Sequence, residues 1–252
     1  MTESSISTFF PCYNDAQTIG ALVREAREVL ASLTSDFQII VVNDGSSDGS
    51  AEVLAALERS VPELVVVTHP VNRGYGAALR SGFAHATKDL VFYTDGDGQY
   101  DVKELPIMTM LMSDDVHFVN GIKMTRQDPP YRVFMGNLHK FLTRWALWLP
   151  ITDVDCDFRL IRRSIVSKLS LESSSGSICA ELVKKAERAG AAFREVSVHH
   201  HPRLYGSSQF FTAGKILKTY FDLGLLWVRL MVVDRFTRPS EYETADTVDV
   251  RR

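Results

Sequence analysis

The sequence predicts an α/β fold in which a mostly parallel central sheet is covered by helices on both faces. Strand-like and helix-like segments alternate three times within residues 6–94. The strand-like runs are rich in β-branched residues and do not alternate apolar with polar positions, which is typical of strands buried on both faces. Parallel strands need helical crossovers between them, so the alternation and the buried runs indicate the same fold class.

The first half of the chain contains four predicted strands and three predicted helices. The strands are expected at residues 6–11, 37–42, 64–67 and 90–94. The helices are expected at residues 19–33, 51–57 and 77–86, where apolar residues recur at three- and four-residue spacing. Thr18 has the side chain of a helix N-cap and directly precedes the first of these helices.

The second half of the chain has a looser rhythm of elements. Strands are expected at residues 116–120, 158–161 and 192–199, helices at 133–149, 177–189 and 211–234, and a basic loop at 123–132. Residues 235–252 are polar and mixed in charge, so we expect a mobile tail there. We therefore expect a single domain of residues 1–234, with a nucleotide-binding half at about 5–115 and an acceptor half at 116–210.

Composition narrows the class of protein. The chain has 252 residues, of which 45% are hydrophobic and 23% charged, so it can bury a full core. A net charge of −3 weighs against nucleic-acid binding, which needs a concentrated basic face. Cys12, Cys156 and Cys179 are widely spaced, and the N-terminus has no signal-peptide pattern. We expect a cytoplasmic protein with reduced thiols; the oligomeric state stays open.

The segment Asp95-Gly96-Asp97 is the strongest chemical signal in the sequence, because it directly follows the predicted strand 90–94. In open α/β sheets, ligands bind at the carboxyl ends of the strands. Two carboxylates placed together there repel each other unless a cation lies between them. Mg²⁺ or Mn²⁺ accepts carboxylate and diphosphate oxygens as ligands. The segment therefore indicates a metal–nucleotide-diphosphate site, although a solvated acidic turn has the same sequence.

Polar loops also follow the other three predicted strands. They are residues 11–15, residues 43–49, and the segment that contains Asn72 and Gly74. Asp44 in the second loop could accept a hydrogen bond from the ring N–H of uracil or guanine, or from a ribose hydroxyl. Each loop alone is a common turn sequence. Their coincidence at neighbouring strand ends predicts a nucleotide site.

Six motifs carry a resemblance to a known family. They are Pro-Cys-Tyr-Asn-Asp at 11–15, Val-Val-Asn-Asp-Gly-Ser-Ser-Asp-Gly-Ser at 41–50, Asn-Arg-Gly-Tyr-Gly-Ala-Ala at 72–78, Asp-Gly-Asp-Gly-Gln at 95–99, the segment 153–159, and Arg-Leu-Tyr-Gly-Ser-Ser at 203–208. In these motifs the chain resembles the family 2 glycosyltransferases, which have the GT-A fold of nucleotide-diphospho-sugar transferases. It most closely resembles the dolichol- or polyprenyl-phosphate sugar synthases. The motifs span about residues 5–210.

This resemblance implies roles for the matched residues. The contacts to the donor base and ribose would come from Pro11, Tyr13, Asp15 and Asp44, beside Asn72 and Gly74. The Mg²⁺ or Mn²⁺ ion and the donor diphosphate would be held by Asp95, Asp97 and Gln99. The loop with Arg203 and Ser208 would close over the phosphates. The acceptor phosphate would be bound by Lys123 and Arg132, together with Ser208.

The resemblance implies an inverting, metal-dependent transfer of a hexose from a UDP- or GDP-sugar to a polyprenyl phosphate at the cytoplasmic face of a membrane. The segment 153–159 has two more acidic residues than the family pattern. Asp153, Asp155 and Asp157 are therefore candidate bases for the alternative, a transfer to a sugar hydroxyl or another soluble acceptor. They could equally pair with the arginines at 159, 162 and 163. A non-catalytic nucleotide-sugar-binding protein is a further alternative.

Two apolar segments leave a choice between core and membrane. Residues 223–233 are shorter than the ~20 residues that span a bilayer. They could pack on the domain or lie on a membrane surface, with Trp227 at the interface and Lys215, Lys218 and Arg229 towards the headgroups. On the earlier helix, the pattern favours a core position for Trp145 and Trp148. The run His199–His201 is not expected to bind a metal, because consecutive strand residues face opposite sides.

Overall fold

A computed structural model of the protein describes residues 4–124, 130–203 and 213–234. The predicted tail at 235–252, the site residue Ser208 and most of the predicted basic loop lie outside the described residues. Side chains near the start of α5 and α8, defined below, are likewise not described.

Seven strands form one sheet. They are β1 (Ile6–Cys12), β2 (Phe37–Asp44), β3 (Leu64–His69), β4 (Leu90–Thr94), β5 (Phe118–Lys123), β6 (Phe158–Arg162) and β7 (Phe193–Val198). Their spatial order is β3-β2-β1-β4-β6-β5-β7. β6 runs antiparallel to β4 and β5, and the remaining neighbours are parallel. The prediction of a mostly parallel sheet is confirmed.

Helices cover both faces of this sheet. They are α1 (Ile19–Leu33), α2 (Ser50–Glu58), α3 (Tyr75–His85), α4 (Leu105–Leu111), α5 (Pro130–Leu147), α6 (Arg163–Val166), α7 (Ile178–Arg188) and α8 (Ala213–Val228). A π-helical turn, Arg229–Val233, continues α8. One core cluster holds apolar residues of α1, α2 and α4, and the other holds those of α3, α7 and α8.

Alternate residues of the central strands supply the two cores. In β1, Phe10 packs into the cluster on the α1 side and Phe9 into the cluster on the α3 side. Val41 and Ile40 divide in the same way in β2. Successive side chains of a strand point to opposite faces, so a sheet with two covered faces needs an apolar residue at every position. This is why the strand sequences lack polar alternation.

Two local predictions were wrong. α5 begins at Pro130, before the predicted start, because proline is favoured in the first turn of a helix. Arg132 therefore lies in a helix and not in a loop. Thr18 precedes α1, but its side chain does not cap that helix. The hydroxyl of Thr18 instead donates to the carbonyl oxygen of Gly96 at 2.9 Å, which ties the loop after β1 to the loop after β4.

Further hydrogen bonds join the loops at the carboxyl edge of the sheet. The amide of Ser47 donates to the side-chain oxygen of Asn14 at 2.8 Å, and the amide of Ala16 donates to Asp48 at 3.1 Å. The loops after β2 and β3 also touch: a Cβ atom added to Gly45 would lie 2.4 Å from the carbonyl carbon of Val71. These contacts hold the loops together as one surface.

None of the helices in the described part of the chain combines the length and the apolar character that crossing a membrane requires.

The substitution Gly82→Ala should lower the free energy of unfolding by about 1–3 kcal/mol, because it overpacks the core. The added methyl carbon would lie 2.3 Å from the ring of Phe9, which is fully buried against Phe83. Chemical denaturation followed by circular dichroism measures the change.

The matched control is Gly224→Ala in α8, where the added methyl has no described neighbour within 4 Å. Alanine has the higher helix propensity, so this control should leave stability unchanged or raise it by up to about 1 kcal/mol. Equal losses in the two variants would contradict the close packing of α3 on β1.

Candidate active site

The carboxyl edge of β1, β2 and β4 brings together the predicted acidic residues. Asp15 lies in the loop after β1, Asp44 is the last residue of β2, and Asp95 and Asp97 follow β4. Parallel strands end at the same edge of a sheet, which is where open α/β folds bind ligands. The loops after β1 and β4 are in contact, since a Cβ atom on Gly96 would lie 2.5 Å from the carbonyl oxygen of Pro11. The predicted donor site is therefore one continuous surface.

Asp95 lies among other negative charges. Burial and the charges of Asp157 and Asp97 raise its pKa well above the usual value for an aspartate. The hydroxyl of Tyr75 donates to Asp95 Oδ1 at 2.9 Å and partly opposes this shift. Tyr75 was not predicted as a site residue, although it stands inside the motif at 72–78. In the metal-free protein, the ionised form of Asp95 is therefore unfavourable.

Asp97 is 8% exposed, and both of its oxygens have partners within the chain. Oδ1 accepts a hydrogen bond from the amide of Gln99 at 3.0 Å, and Oδ2 forms an ion pair with the guanidinium of Arg203. The structure thus brings together Asp97 and Arg203, which were predicted to act on the same diphosphate. A guanidinium is also a bidentate partner for phosphate, so Arg203 can bind either group.

The segment 199–201 holds Arg203 beside the acidic loop. The amide of His201 donates to the carbonyl oxygen of Gln99 at 2.8 Å, and the Gln99 side-chain amide donates to the carbonyl of His201 at 2.9 Å. His199 pairs instead with Glu104, and the His200 ring lies against Tyr100. The rings of His199 and His201 lie parallel with their centroids 6.3 Å apart, while the ring of His200 contacts Tyr100. Their contribution to the site is the backbone connection to Gln99.

Asp15 is a half-buried carboxylate close to the other acids. Burial, followed by the charges of Asp97 and Asp48, raises its pKa to about 6. The amide of Tyr13 donates to Asp15 Oδ2 at 3.0 Å and partly offsets these effects. Close to neutral pH, Asp15 is thus near the point at which it gains a proton.

Asp44 is 3% exposed and already accepts three hydrogen bonds from the chain. The amides of Arg73 and Gly74 donate to Oδ1 and Oδ2, each at 2.9 Å, and Nδ1 of His69 lies 2.6 Å from Oδ1. Asp44 therefore holds the loop after β3 in place. Contact with a nucleotide base or ribose stays a prediction for this residue.

The remaining donor-side residues frame the same edge. Tyr13 and Asn72 are exposed there, whereas Pro11 is buried at the end of β1. Gly74 has a φ of 90°, and a Cβ atom on it would lie 2.7 Å from the carbonyl oxygen of Ser174. Glycine is therefore required where the chain turns into α3.

The residues predicted to bind the acceptor are only partly described. Lys123 ends β5, and its ammonium group donates to the carbonyl oxygen of Asp155 at 2.7 Å. Burial by itself would lower the pKa of Lys123, but the acidic side chains around it outweigh burial and raise the pKa. Arg132 lies in α5 with an undescribed side chain, and Ser208 lies outside the described residues. Of Lys123, Arg132 and Ser208, the structure therefore describes the side chain of Lys123 alone.

The three acids of the segment 153–159 lie in different surroundings. Asp153 is buried and forms an ion pair with Lys140 at 2.5 Å, so it is a structural charge. Asp157 accepts hydrogen bonds from the Cys179 thiol at 3.1 Å and from the Tyr93 hydroxyl at 3.4 Å. The backbone carbonyl of Asp155 accepts the hydrogen bond from Lys123. Asp157 is therefore the one of the three that acts electrostatically on Asp95.

Arg159 is a fully buried cation next to Asp157. It was not predicted as a site residue. Its guanidinium donates to the Tyr93 hydroxyl at 2.7 Å and to the side-chain oxygen of Asn120 at 2.9 Å, and it lies 3.8 Å from Asp157. Buried charges of this kind need partners on every side. Arg159 thus fixes Tyr93 and Asp157 in position.

The donor set fits a divalent cation of the Mg²⁺ type. Asp95 and Asp97 would supply oxygen ligands, and such ions typically take one or two carboxylates together with phosphate oxygens and water. The raised pKa of Asp95 is the relevant observation, because the bound cation would remove the repulsion that raises it. Among the described residues, no three His, Cys, Asp or Glu side chains converge as a complete metal cage. The site therefore suits a cation that arrives with a diphosphate.

A large apolar groove lies between α5 and α8. It has a volume of about 510 Å³ and is lined by Trp145 of α5, by Trp148 directly after that helix, and by Tyr220 and Trp227 of α8. Trp145 is 72% exposed and Trp148 is 74% exposed. The core position favoured for these two residues was wrong, because apolar spacing shows which face is apolar but not what covers it.

A smaller cavity joins this groove to the acidic site. It shares Thr143 and Leu223 with the groove and extends to Asp155 and Cys179. The Cys179 thiol, in turn, contacts Asp157. The apolar surface therefore continues through this cavity to the side chains next to Asp157.

Fold and site together define an α/β protein whose acidic residues gather at the carboxyl edge of the sheet. The model of the Glycosyl transferase family 2 matches residues 7–170, which is more than half of the chain. The protein belongs to this family, as the motifs of the sequence indicated. The resemblance stated from sequence is thereby confirmed.

Curated relatives include undecaprenyl-phosphate 4-deoxy-4-formamido-L-arabinose transferases. The protein of Yersinia enterocolitica is 28% identical over 220 residues, which cover 86% of this chain and 66% of the relative. The protein of Pseudomonas aeruginosa is 31% identical over 221 residues, which cover 86% and 63%. The chain thus spans slightly less than two thirds of the length of these relatives.

Solved structures with a similar fold include glucosyl-3-phosphoglycerate synthase from Mycobacterium tuberculosis. Its complex with Mn²⁺, uridine diphosphate and phosphoglyceric acid has a TM-score of 0.66 at 18% identity, covering 88% of this chain and 79% of that one. Its complex with Mg²⁺ and uridine diphosphate has a TM-score of 0.64 at 17% identity, covering 88% and 80%. The fold of the protein is accordingly the GT-A fold.

The stability of the metal-free protein should depend on pH through Asp15. Its pKa rises from 3.8 in the unfolded chain to about 6 in the folded protein, so the folded state binds more protons between these values. The contribution of Asp15 to stability should therefore decrease as the pH rises from about 4 to about 6 and stay constant above that range.

Denaturant unfolding of the wild type and of Asp15→Asn, in EDTA-containing buffers over this pH range, measures the effect. The wild type should lose stability relative to the variant as the pH rises, because asparagine does not titrate. A constant difference between the two proteins at all pH values would contradict the raised pKa.

Proposed function

We propose that this protein transfers a hexose from a UDP- or GDP-sugar to a polyprenyl phosphate, with inversion at the anomeric carbon and with Mg²⁺ or Mn²⁺ as cofactor. Membership of the Glycosyl transferase family 2 supports the reaction class. The names of the curated relatives support a polyprenyl-phosphate acceptor, and the structural neighbours crystallised with UDP and a divalent ion support the donor and the metal. The carrying observation is the acidic sheet edge with an apolar groove adjoining it.

The donor half of the proposal is supported by the chemistry of the loops. Asp95 and Asp97, with Gln99, would hold the cation and the diphosphate, while the edge formed by Tyr13, Asp44 and neighbouring backbone would receive base and ribose. When bound, the cation would neutralise negative charge on the departing nucleoside diphosphate. Arg203 would exchange Asp97 for a phosphate of the donor and add a second positive charge there.

Transfer to a phosphate acceptor needs little base catalysis from the protein. A phosphate monoester has a second pKa of about 6, so it is already mostly dianionic at neutral pH. One of its oxygens would attack the anomeric carbon from the face opposite the diphosphate. The bond between the anomeric carbon and the diphosphate oxygen would break, and that oxygen would keep the electron pair. Lys123 would attract the acceptor phosphate, with Arg132 and Ser208 as its proposed partners.

The structure favours this acceptor over a sugar hydroxyl. A hydroxyl acceptor needs an available carboxylate as general base. Of the three candidates, Asp153 is taken up by Lys140 and Asp157 accepts from Cys179 and Tyr93, so Asp155 is the carboxylate on which a hydroxyl acceptor would depend. A lipid chain, by contrast, has a matching surface in the groove between α5 and α8. We therefore assign Asp157 an electrostatic role in the catalytic site.

The same groove supports a peripheral position on the cytoplasmic face of a membrane. Exposed aromatic and aliphatic side chains cluster on α5, on the residue after it and on α8; they are Phe141, Leu142, Trp145, Trp148, Tyr220, Phe221, Leu225 and Trp227. Tryptophan and tyrosine favour the region between lipid headgroups and acyl chains. A patch of this kind on a protein surface indicates an interaction site. Residues 1–234 would then form one catalytic domain whose last helix faces the lipid.

Incubation with a panel of radiolabelled UDP- and GDP-sugars, a short polyprenyl phosphate and Mg²⁺ or Mn²⁺ tests the proposal. Label should appear in the lipid-soluble fraction with at least one donor. Asp97→Asn should reduce this product by at least about 100-fold, because it removes a charge that acts at the departing diphosphate. Unchanged turnover in the variant would refute the metal assignment.

The control for folding is thermal unfolding of Asp97→Asn, which should match that of the wild type within a few degrees. Label confined to water-soluble products would indicate a soluble acceptor. Tight nucleotide binding with no transfer under any combination would instead indicate a binding protein without catalytic activity.

Membrane contact makes a separate prediction at Trp148. This residue has a φ of 52°, a left-handed conformation that bulky side chains rarely adopt and that glycine adopts freely. Trp148→Gly should therefore leave thermal stability unchanged or raise it, yet weaken binding to vesicles of phosphatidylcholine and phosphatidylglycerol by about tenfold.

Sedimentation of the full chain with these vesicles measures the binding. The matched control is Met110→Ala, which removes an equally exposed apolar side chain from α4 on the opposite face of the sheet. Its vesicle binding should equal that of the wild type. Equal binding by Trp148→Gly and the wild type would show that this surface does not contact lipid.

A further inference from the structure

A buried hydrogen-bonded chain behind the donor site consists of Asp44, His69 and Ser81. His69 is the last residue of β3 and is almost fully buried. Its Nδ1 lies 2.6 Å from Asp44 Oδ1, and its Nε2 lies 2.8 Å from the hydroxyl of Ser81 in α3. The ring thus connects the ends of β2 and β3 with the helix that starts beside Asp95.

The chemistry of the partners fixes the direction of these hydrogen bonds. An ionised carboxylate only accepts, so Nδ1 of His69 carries the proton and donates to Asp44. In the neutral ring, Nε2 then accepts from the hydroxyl of Ser81. Both ring nitrogens are therefore committed to protein partners, and the imidazole cannot turn towards a ligand.

The two carboxylate oxygens of Asp44 accept different numbers of hydrogen bonds. A carboxylate has about four acceptor positions. Oδ1 accepts from His69 and from the amide of Arg73, whereas Oδ2 accepts only from the amide of Gly74 among the described residues. The one acceptor position left over is therefore on Oδ2.

We propose that His69 is a positioning residue for the donor nucleotide, because its hydrogen bond to Oδ1 directs the remaining acceptor position of Asp44 to the nucleotide base or ribose. This inference rests on the proposed function, since it assumes a nucleotide at the sheet edge. It assigns His69 no contact with the ligand. Without the imidazole, each oxygen of Asp44 would keep one backbone amide, so a second acceptor position would open on Oδ1 and the carboxylate would be free to turn away from the site.

Two substitutions separate positioning from simple packing. The side-chain amide nitrogen of asparagine lies near the place of Nδ1, so His69→Asn keeps the donor to Asp44 and loses the contact with Ser81. The amide of glutamine reaches the place of Nε2, so His69→Gln keeps the contact with Ser81 and loses the donor. Ser81→Ala is the matched control, because it removes the distal hydrogen bond alone.

Isothermal titration calorimetry with UDP and with GDP, in the presence of Mn²⁺, measures the effect on the full chain. His69→Gln should weaken nucleotide affinity by about tenfold, the magnitude typical of a lost hydrogen bond to a charged group. His69→Asn and Ser81→Ala should stay within about threefold of the wild type. Rescue by asparagine but not by glutamine is the result that a purely structural role would not give.

Several outcomes would overturn the inference. Equal affinities for all four proteins would show that His69 does not affect the nucleotide. Equal losses in the asparagine and glutamine variants would show that the ring acts by packing. If the wild type binds neither nucleotide, the proposed function fails at the donor site and this inference fails with it. Thermal unfolding of each variant identifies losses that come from misfolding; a variant that does not fold is replaced by Asp44→Asn, which should also weaken binding.

Discussion

The concentration of negative charge at one edge of the sheet is the constraint on which the rest of this site depends. Parallel strands end together, so Asp15, Asp95 and Asp97 are brought close by the fold itself. Their proximity and burial raise the pKa of Asp95 and of Asp15, which means that the ionised site is unfavourable in the metal-free protein. Residues whose pKa values are shifted in this way cluster at functional sites.

Two kinds of positive charge oppose this concentration, and they differ in what they can do. Arg159 is fully buried with its donors satisfied by Tyr93 and Asn120, so it can only hold its neighbours in place. Arg203 is partly exposed and has an anionic partner in Asp97 that a phosphate group can replace. The buried cation therefore organises the site, while the exposed one is suited to respond to a ligand.

The apolar groove adjoins a small cavity that reaches Asp155 and Cys179, and the thiol of Cys179 contacts Asp157. The proposed acceptor, with a phosphate head and a hydrocarbon chain, would use the acidic edge and the groove together. The left-handed backbone at Trp148 is consistent with a function, since a glycine would remove the strain and also the exposed ring.

The sequence by itself determined the fold class, the order of the elements and the acidic edge. Those properties follow from local patterns: runs of β-branched residues, three- and four-residue apolar spacing, and turn residues at the strand ends. Only the tertiary structure decided the antiparallel direction of β6, the role of Thr18 between two loops and the exposure of Trp145. It also revealed Tyr75, Arg159 and His69 as partners of the site. Each of these features depends on contacts between residues that are distant along the chain. The spacing of apolar and polar residues does not predict which partner a side chain contacts.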